Sequence, residues 1–297
     1  MALRAGSRAR AWAVLGAVLL LGGSARAEDE SETVTENLGL YNFFKGWDEE
    51  WHVRRRKTPD MAILKATTNF LEREFRLDFV LTDVRTGKTE AQYLSQGLIA
   101  YGASRRLMLE VITNYQWNAQ QTGAPVNGAG GGALVRVQLV ENDTQSYAIQ
   151  AKLAVPNRPI GQTQTSMAYS LTGWQDLHAL VPFLDRVGLY YSFTWENLLG
   201  AHATGARQND ISYDLSVAKT WTAADAAVFG KFTTFLEFYG TTDLDGAHAG
   251  WTVFTITPGI RFWFLPVHSL MAGVDIPVSS NPTFALVYRV TYIMNFE

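Results

Sequence analysis

The chain has 297 residues, a formal charge of −3 from 25 basic and 28 acidic side chains, and no cysteine. That mild charge excludes a general nucleic-acid binder, and the missing cysteines exclude both a disulfide framework and a lipid anchor at a signal cysteine. Hydrophobic residues make up 47% and charged residues only 18%, so the chain builds either a large core or a surface that faces lipid.

Residues 1–27 read as an export signal. Arg4, Arg8 and Arg10 precede the apolar "AWAVLGAVLLLGG" (11–23), and "ARA" (25–27) satisfies the small-x-small cleavage rule before the acidic "EDESE". Removing them takes away four arginines and no acid, moving the formal charge from −3 to −7. No other stretch approaches the roughly eighteen apolar residues of a membrane helix.

Residues 28–60 form an N-terminal segment expected in the periplasm. Within "NLGLYNFFKGWDEEWHVRRRKTPD" (37–60), Leu40, Phe44, Trp47 and Trp51 share one face at helical spacing. Arg54, Arg55, Arg56 and Lys57 follow, and Pro59 ends the run. The pattern predicts a short amphipathic helix that plugs a lumen, docks on a partner or lies at a lipid surface with its basic end on phosphates.

Residues 61–297 obey period two. In "FRLDFVLTD" (75–83), Phe75, Leu77, Phe79 and Leu81 oppose Arg76 and Asp78; in "ISYDLSVAKTW" (211–221), Ile211, Tyr213, Leu215 and Val217 oppose Ser212, Asp214 and Ser216. About twelve such segments lie near 70–83, 92–104, 106–118, 132–141, 145–156, 164–175, 185–196, 209–222, 230–242, 250–264, 268–278 and 283–296. Most exceed the ~5–6 residues of a globular strand and suit a tilted crossing of ~9–11 residues with protruding ends.

Several joins after even-numbered strands are tight, whereas those after odd-numbered strands, such as "NAQQTGAPVNGAGG" (118–131), tend to be long and Gly-rich. Short turns at one end and long loops at the other mark an outer-membrane barrel. The join at 176–184 is long for a turn, and that at 279–282 is short for a loop. Trp117 and Trp195 end strands at one rim, and Trp221, Phe264, Tyr292 and Phe296 end them at the other. The expected fold is therefore all-β: a closed antiparallel transmembrane β-barrel of about twelve strands with a short N-terminal helix, set in the lipid of the bacterial outer membrane. The rival is a secreted β-sandwich that buries the same apolar faces against protein.

The closing "YRVTYIMNFE" (288–297), with Tyr288, Tyr292 and Phe296, resembles the C-terminal strand of outer-membrane barrels, which implies recognition by the barrel-assembly machinery; Glu297 after the last aromatic departs from that pattern. More narrowly, "KTPDMAILKATTNFLEREFRLDF" (57–79), "LIAYGASRRLMLEV" (98–111) and "AGWTVFTITPGIRFWF" (249–264) resemble outer-membrane "transporter" and porin-like barrels, including the phenol-degradation MetA-pathway group. The resemblance implies passage of solutes and brings no catalytic residue with it.

Faces opposite the apolar ones line the lumen. The lining candidates are Glu74, Arg76, Asp78, Glu110, Arg136, Lys152, Asp214, Lys231, Glu237, Arg261, Asp275 and Arg289, six acids balanced by six bases. A mixed wall does not impose one ion sign. Twelve strands give a backbone diameter of roughly 24 Å and a free bore of at most ~10 Å, with Phe235, Tyr239, Trp251 and Trp263 expected to fill space inside. Asp243, Asp245 and His248 in "TTDLDGAHAG" (241–250) lack the rest of a calcium loop, and "NGAGGG" (127–132) reads as a mobile loop, with no Lys-Ser/Thr for phosphate. All five histidines fall in predicted turns, loops or the N-terminal segment, and no Ser–His pair matches in height. The expectation is thus a passive channel for small solutes, without enzymatic activity, cofactor, metal or nucleic-acid partner. The alternatives are a non-conducting structural or partner-binding barrel and a transporter of small hydrophobic or aromatic compounds.

Overall fold

The computed structural model describes residues 64–65, 70–84, 89–104, 106–120, 126–141, 144–158, 164–199, 207–223, 226, 229–279 and 284–296. The expected export signal (1–27) and the expected helix within 37–60, with Phe44, Trp47, Trp51, Arg54, Arg55 and Arg56, lie outside the described residues. Twelve strands follow: β1 (Glu74–Val84), β2 (Thr89–Gly102), β3 (Leu107–Gln120), β4 (Val126–Glu141), β5 (Gln145–Arg158), β6 (Thr165–Asp176), β7 (Val187–Leu199), β8 (Asn209–Thr220), β9 (Gly230–Asp243), β10 (Thr252–Leu265), β11 (His268–Pro277) and β12 (Phe284–Asn295). Each pairs antiparallel with its sequence neighbours. The last closes on the first, from Glu74 opposite Asn295 to Val84 opposite Phe284. Closure removes the edge of unpaired amides that hydrocarbon cannot solvate.

Burial runs opposite to that of a soluble protein. Along β3, Met108, Glu110 and Ile112 are buried, while Leu109, Val111 and Tyr115 are exposed. Val111 is 60% exposed and Arg136, on the adjacent β4, is 0%. Phe79, Ile149, Leu171, Phe193, Leu215, Ile260 and Val290 continue the exposed apolar belt around the barrel, far beyond the few hundred Å² tolerated in water. Among the described residues no second sheet packs on it: all twelve strands belong to the one ring. Hydrocarbon is the solvent of that face, and the sandwich alternative falls.

Aromatic pairs mark both rims of the belt. At the loop end Tyr93 meets Trp117 (4.8 Å between ring centroids) and Tyr169 stacks on Trp195 (5.7 Å). At the end that carries the start of β1 and the finish of β12, Phe229 meets Phe262 edge-on at 4.9 Å, and Phe264 lies 6.5 Å from Tyr292. Lys219 over Trp221 and Arg73 over Tyr101 place cations there too, at 4.8 and 4.7 Å. Rings with one apolar and one polar side suit the two water–lipid boundaries.

Four expectations change. The Gly-rich "NGAGGG" belongs to strand β4, which begins at Val126, six residues before the alternation becomes visible. A Cβ on Gly131 or Gly132 would stand 2.6 Å from the Ile112 carbonyl oxygen or 2.5 Å from that of Leu153, so the missing side chains are what let three strands approach. With β4 lengthened, the contrast between long loops and short turns largely disappears: the join between β3 and β4 shrinks to residues 121–125, while that between β6 and β7 spans 177–186. This last join is a 3-10 turn, Leu177–Ala179, capped by the Asp176 carboxylate accepting from the His178 N–H at 3.0 Å. His268 opens strand β11, its Nδ1 2.7 Å from the Tyr292 hydroxyl. Trp251 lies outside the bore, more than half exposed in the β9–β10 loop against His248.

Candidate functional site

The polar faces of the strands meet inside the barrel, where a buried charge persists only with partners. On β1 the Arg76 Nε donates to both Asp78 oxygens at 2.9 and 3.1 Å, and the Thr291 hydroxyl of β12 donates to the same carboxylate. Between β11 and β12, Arg289 Nε lies 2.9 Å from Asp275 Oδ2, and the Thr257 hydroxyl donates to Oδ1 at 2.7 Å. Arg136 donates from Nε to Gln150 at 3.0 Å, and Arg261 from Nη2 to Ser269 at 3.2 Å. Glu110 lies near Arg136, Lys152 and Arg76; Glu74 near Glu72, Arg76 and Arg261; Asp214 near Glu237. Lys231 stands 5.0 Å over the Trp263 ring at the terminal end. The wall thus holds most of the candidate charges in local opposite-sign clusters, along with two close carboxyl pairs, Glu72 with Glu74 and Asp214 with Glu237.

The chain just before β1 enters this space. The backbone N–H groups of Leu64 and Lys65 donate to the Glu237 carboxylate at 3.1 and 3.0 Å. Lys65 Nζ lies 2.6 Å from Thr255 Oγ1, 3.4 Å from Asp275 Oδ2 and 4.2 Å from the centre of the Tyr239 ring. Burial pulls the Lys65 ammonium below its ordinary range, with Asp275 the strongest opposing influence. Further on, the Phe70 carbonyl accepts from Arg136 Nη1 at 2.6 Å, and its ring meets Trp174 at 5.6 Å.

Apolar packing accompanies these bonds. Leu64 and Phe70 cluster with Trp174, Tyr190, Phe235, Met271 and Ile293; Leu71, fully buried, clusters with Leu98, Met108, Ile112 and Leu134. Most of these wall residues stand within a few positions of strand ends at the terminal side. Two inward glycines make room: a Cβ on Gly273 would stand 2.5 Å from the Leu64 side chain, and one on Gly259 would clash with the tip of the Phe235 ring. The sequence left residues 60–69 either to pair separately or to run inside the barrel, and singled out none of Lys65, Phe70, Leu71 and the two glycines. The length of 60–83 was the available signal, since ~79 Å of extended chain exceeds one crossing.

At the loop end, Asp245 accepts from the Gln208 and Asn209 backbone N–H groups, and Arg207 Nη1 bridges Asp210 (3.0 Å) and Asp243 (3.2 Å). These carboxylates tie the β7–β8 and β9–β10 loops together, which occupies the groups a calcium ion would need.

No protein-family model and no curated protein matches the sequence. Among solved structures, an outer membrane channel from Pseudomonas putida F1 superposes with a TM-score of 0.53 at 12% identity, over 80% of this chain and 98% of that one. The NanC porin does so with a TM-score of 0.50 at 10% identity, over 76% of this chain and 99% of that one. The fold is that of an outer-membrane barrel. At such identities the likeness is one of architecture, and the lumen must speak for itself.

Proposed function

We propose that the barrel is an outer-membrane channel for small solutes, obstructed within its bore by residues just preceding β1, Phe70–Leu71 near the terminal end and Leu64–Lys65 toward the opposite one. The observation that carries this is the docking of Leu64–Lys65 and Phe70–Leu71 onto a wall of paired charges. A barrel needing only stiffness would fill its bore with wall side chains; this one closes a polar bore with a separate piece of chain that a conformational change can withdraw. The mixed wall charges favour weak ion selectivity. The fully buried Trp174 and Leu71 favour a second reading, a permanently closed barrel serving the envelope or a partner. The resemblance to the phenol-degradation group adds a narrower version of the first, with small aromatic solutes as cargo meeting Phe70, Trp174 and Tyr190. Nothing in this reading calls for a catalytic step.

Planar-bilayer recordings of the full chain test it. Rare, brief openings are expected, becoming frequent when Phe70→Ala and Leu71→Ala are combined. An electrically silent barrel in both forms, with folding verified by gel shift, would leave the closed-barrel reading.

A further inference from the structure

We propose that Tyr239, Thr255, Asp275 and Glu237 form a binding site for a primary ammonium group, occupied in the docked state by Lys65 of the same chain. The proposal deepens the channel reading, and rests on it for a ligand's route inward, by naming organic amines as the solute class. An ammonium presents three donors and no acceptor. Around Lys65 Nζ the wall supplies a hydroxyl oxygen at 2.6 Å, a carboxylate oxygen at 3.4 Å and an aromatic face at 4.2 Å. That set suits a compact cation, since the ring quadrupole attracts positive charge on the side the oxygens leave open.

Charge balance points the same way. The carboxyls of Asp214 on β8, Glu237 on β9 and Asp275 on β11 gather here with the Arg289 guanidinium of β12 and Lys65. Withdrawing Lys65 leaves three carboxyl groups facing one wall cation in a low-dielectric space, an excess that a replacement cation relieves. Glu237, which holds the backbone N–H groups of Leu64 and Lys65, loses those two donors at the same moment. The segment therefore acts as a built-in competitor: an amine that takes the Lys65 position removes its ion pair.

Titration calorimetry on the folded full-length protein in detergent micelles tests this, with n-butylamine as the probe because it reproduces the end of a lysine side chain. Lys65→Ala should bind it roughly ten- to hundredfold more tightly than either the unaltered chain or Lys65→Ala combined with Asp275→Asn, the worth of one charge-assisted hydrogen bond. Lys65→Met, which keeps the apolar stem, replaces Lys65→Ala if the smaller residue impairs folding, and Tyr239→Leu replaces Asp275→Asn likewise. Equal affinity across these variants, or equal binding of n-butanol, overturns the site. A barrel that binds the amine yet never conducts sinks the channel and leaves the site standing; one that conducts and ignores the amine does the reverse.

Discussion

Arg136 joins β4 to the chain inside the bore through a single guanidinium, with Gln150 on one side and the Phe70 carbonyl on the other. Arg136→Met removes these contacts while keeping length, taking a donor from the buried Phe70 carbonyl at a cost of about 1–3 kcal/mol. Unfolding in urea from lipid vesicles should show that loss, and openings in bilayers should become more frequent. Gly132→Ala acts through space instead. Its Cβ would press on a backbone oxygen, which cannot rotate away, so the strands must part, at about 1–3 kcal/mol of overpacking; the urea midpoint should fall with no change in conductance. The inward position of Arg136 was legible from the alternation of Val135, Arg136 and Val137. Its partner was not, because Phe70 lies 66 positions away and belongs to no strand.

Strands are the scale at which the sequence speaks most clearly. A lipid-facing and a lumen-facing residue on neighbouring positions should respond in opposite ways to one new charge. Leu215→Arg, in the middle of β8, should cost about 2–4 kcal/mol and deplete the folded, outer-membrane fraction on a heat-modifiability gel. Gln96→Arg, on an inner face opposite Asp78, should assemble close to normally. Similar losses from both would contradict the assignment of faces. Most strand boundaries fall within about three residues of where the alternation places them, because an apolar side chain every second residue is itself the condition for one face to meet hydrocarbon. β4 is the largest exception, starting six residues early: glycine has no side chain with which to alternate, so that stretch left no periodic trace.

For the molecule as a whole, the decisive question is what occupies the bore. Phe70→Ala with Leu71→Ala deletes packing against Trp174 and Met108 and should raise open probability while the wall charges, and hence the weak selectivity, stay as they were. Reversal potentials in a salt gradient read the second half of that statement: a strong shift toward anions or cations in the opened variant would mean that the segment also sets the charge of the path. The expected bore of at most ~10 Å from strand number alone describes the empty cylinder; the protein's own chain takes up part of it.

Sequence alone determined the approximate strand number, the two faces and the aromatic rims, since each is a local consequence of which side chains alternate along twelve segments; closure of the ring decided that hydrocarbon, and not a second sheet, meets the apolar face. Only the tertiary structure decided that Leu64–Lys65 and Phe70–Leu71 lie inside, that Gly259 and Gly273 make room for side chains, and which charges answer one another. Those contacts join residues scores of positions apart across a closed ring. Period two says that a residue points inward without saying what it meets there.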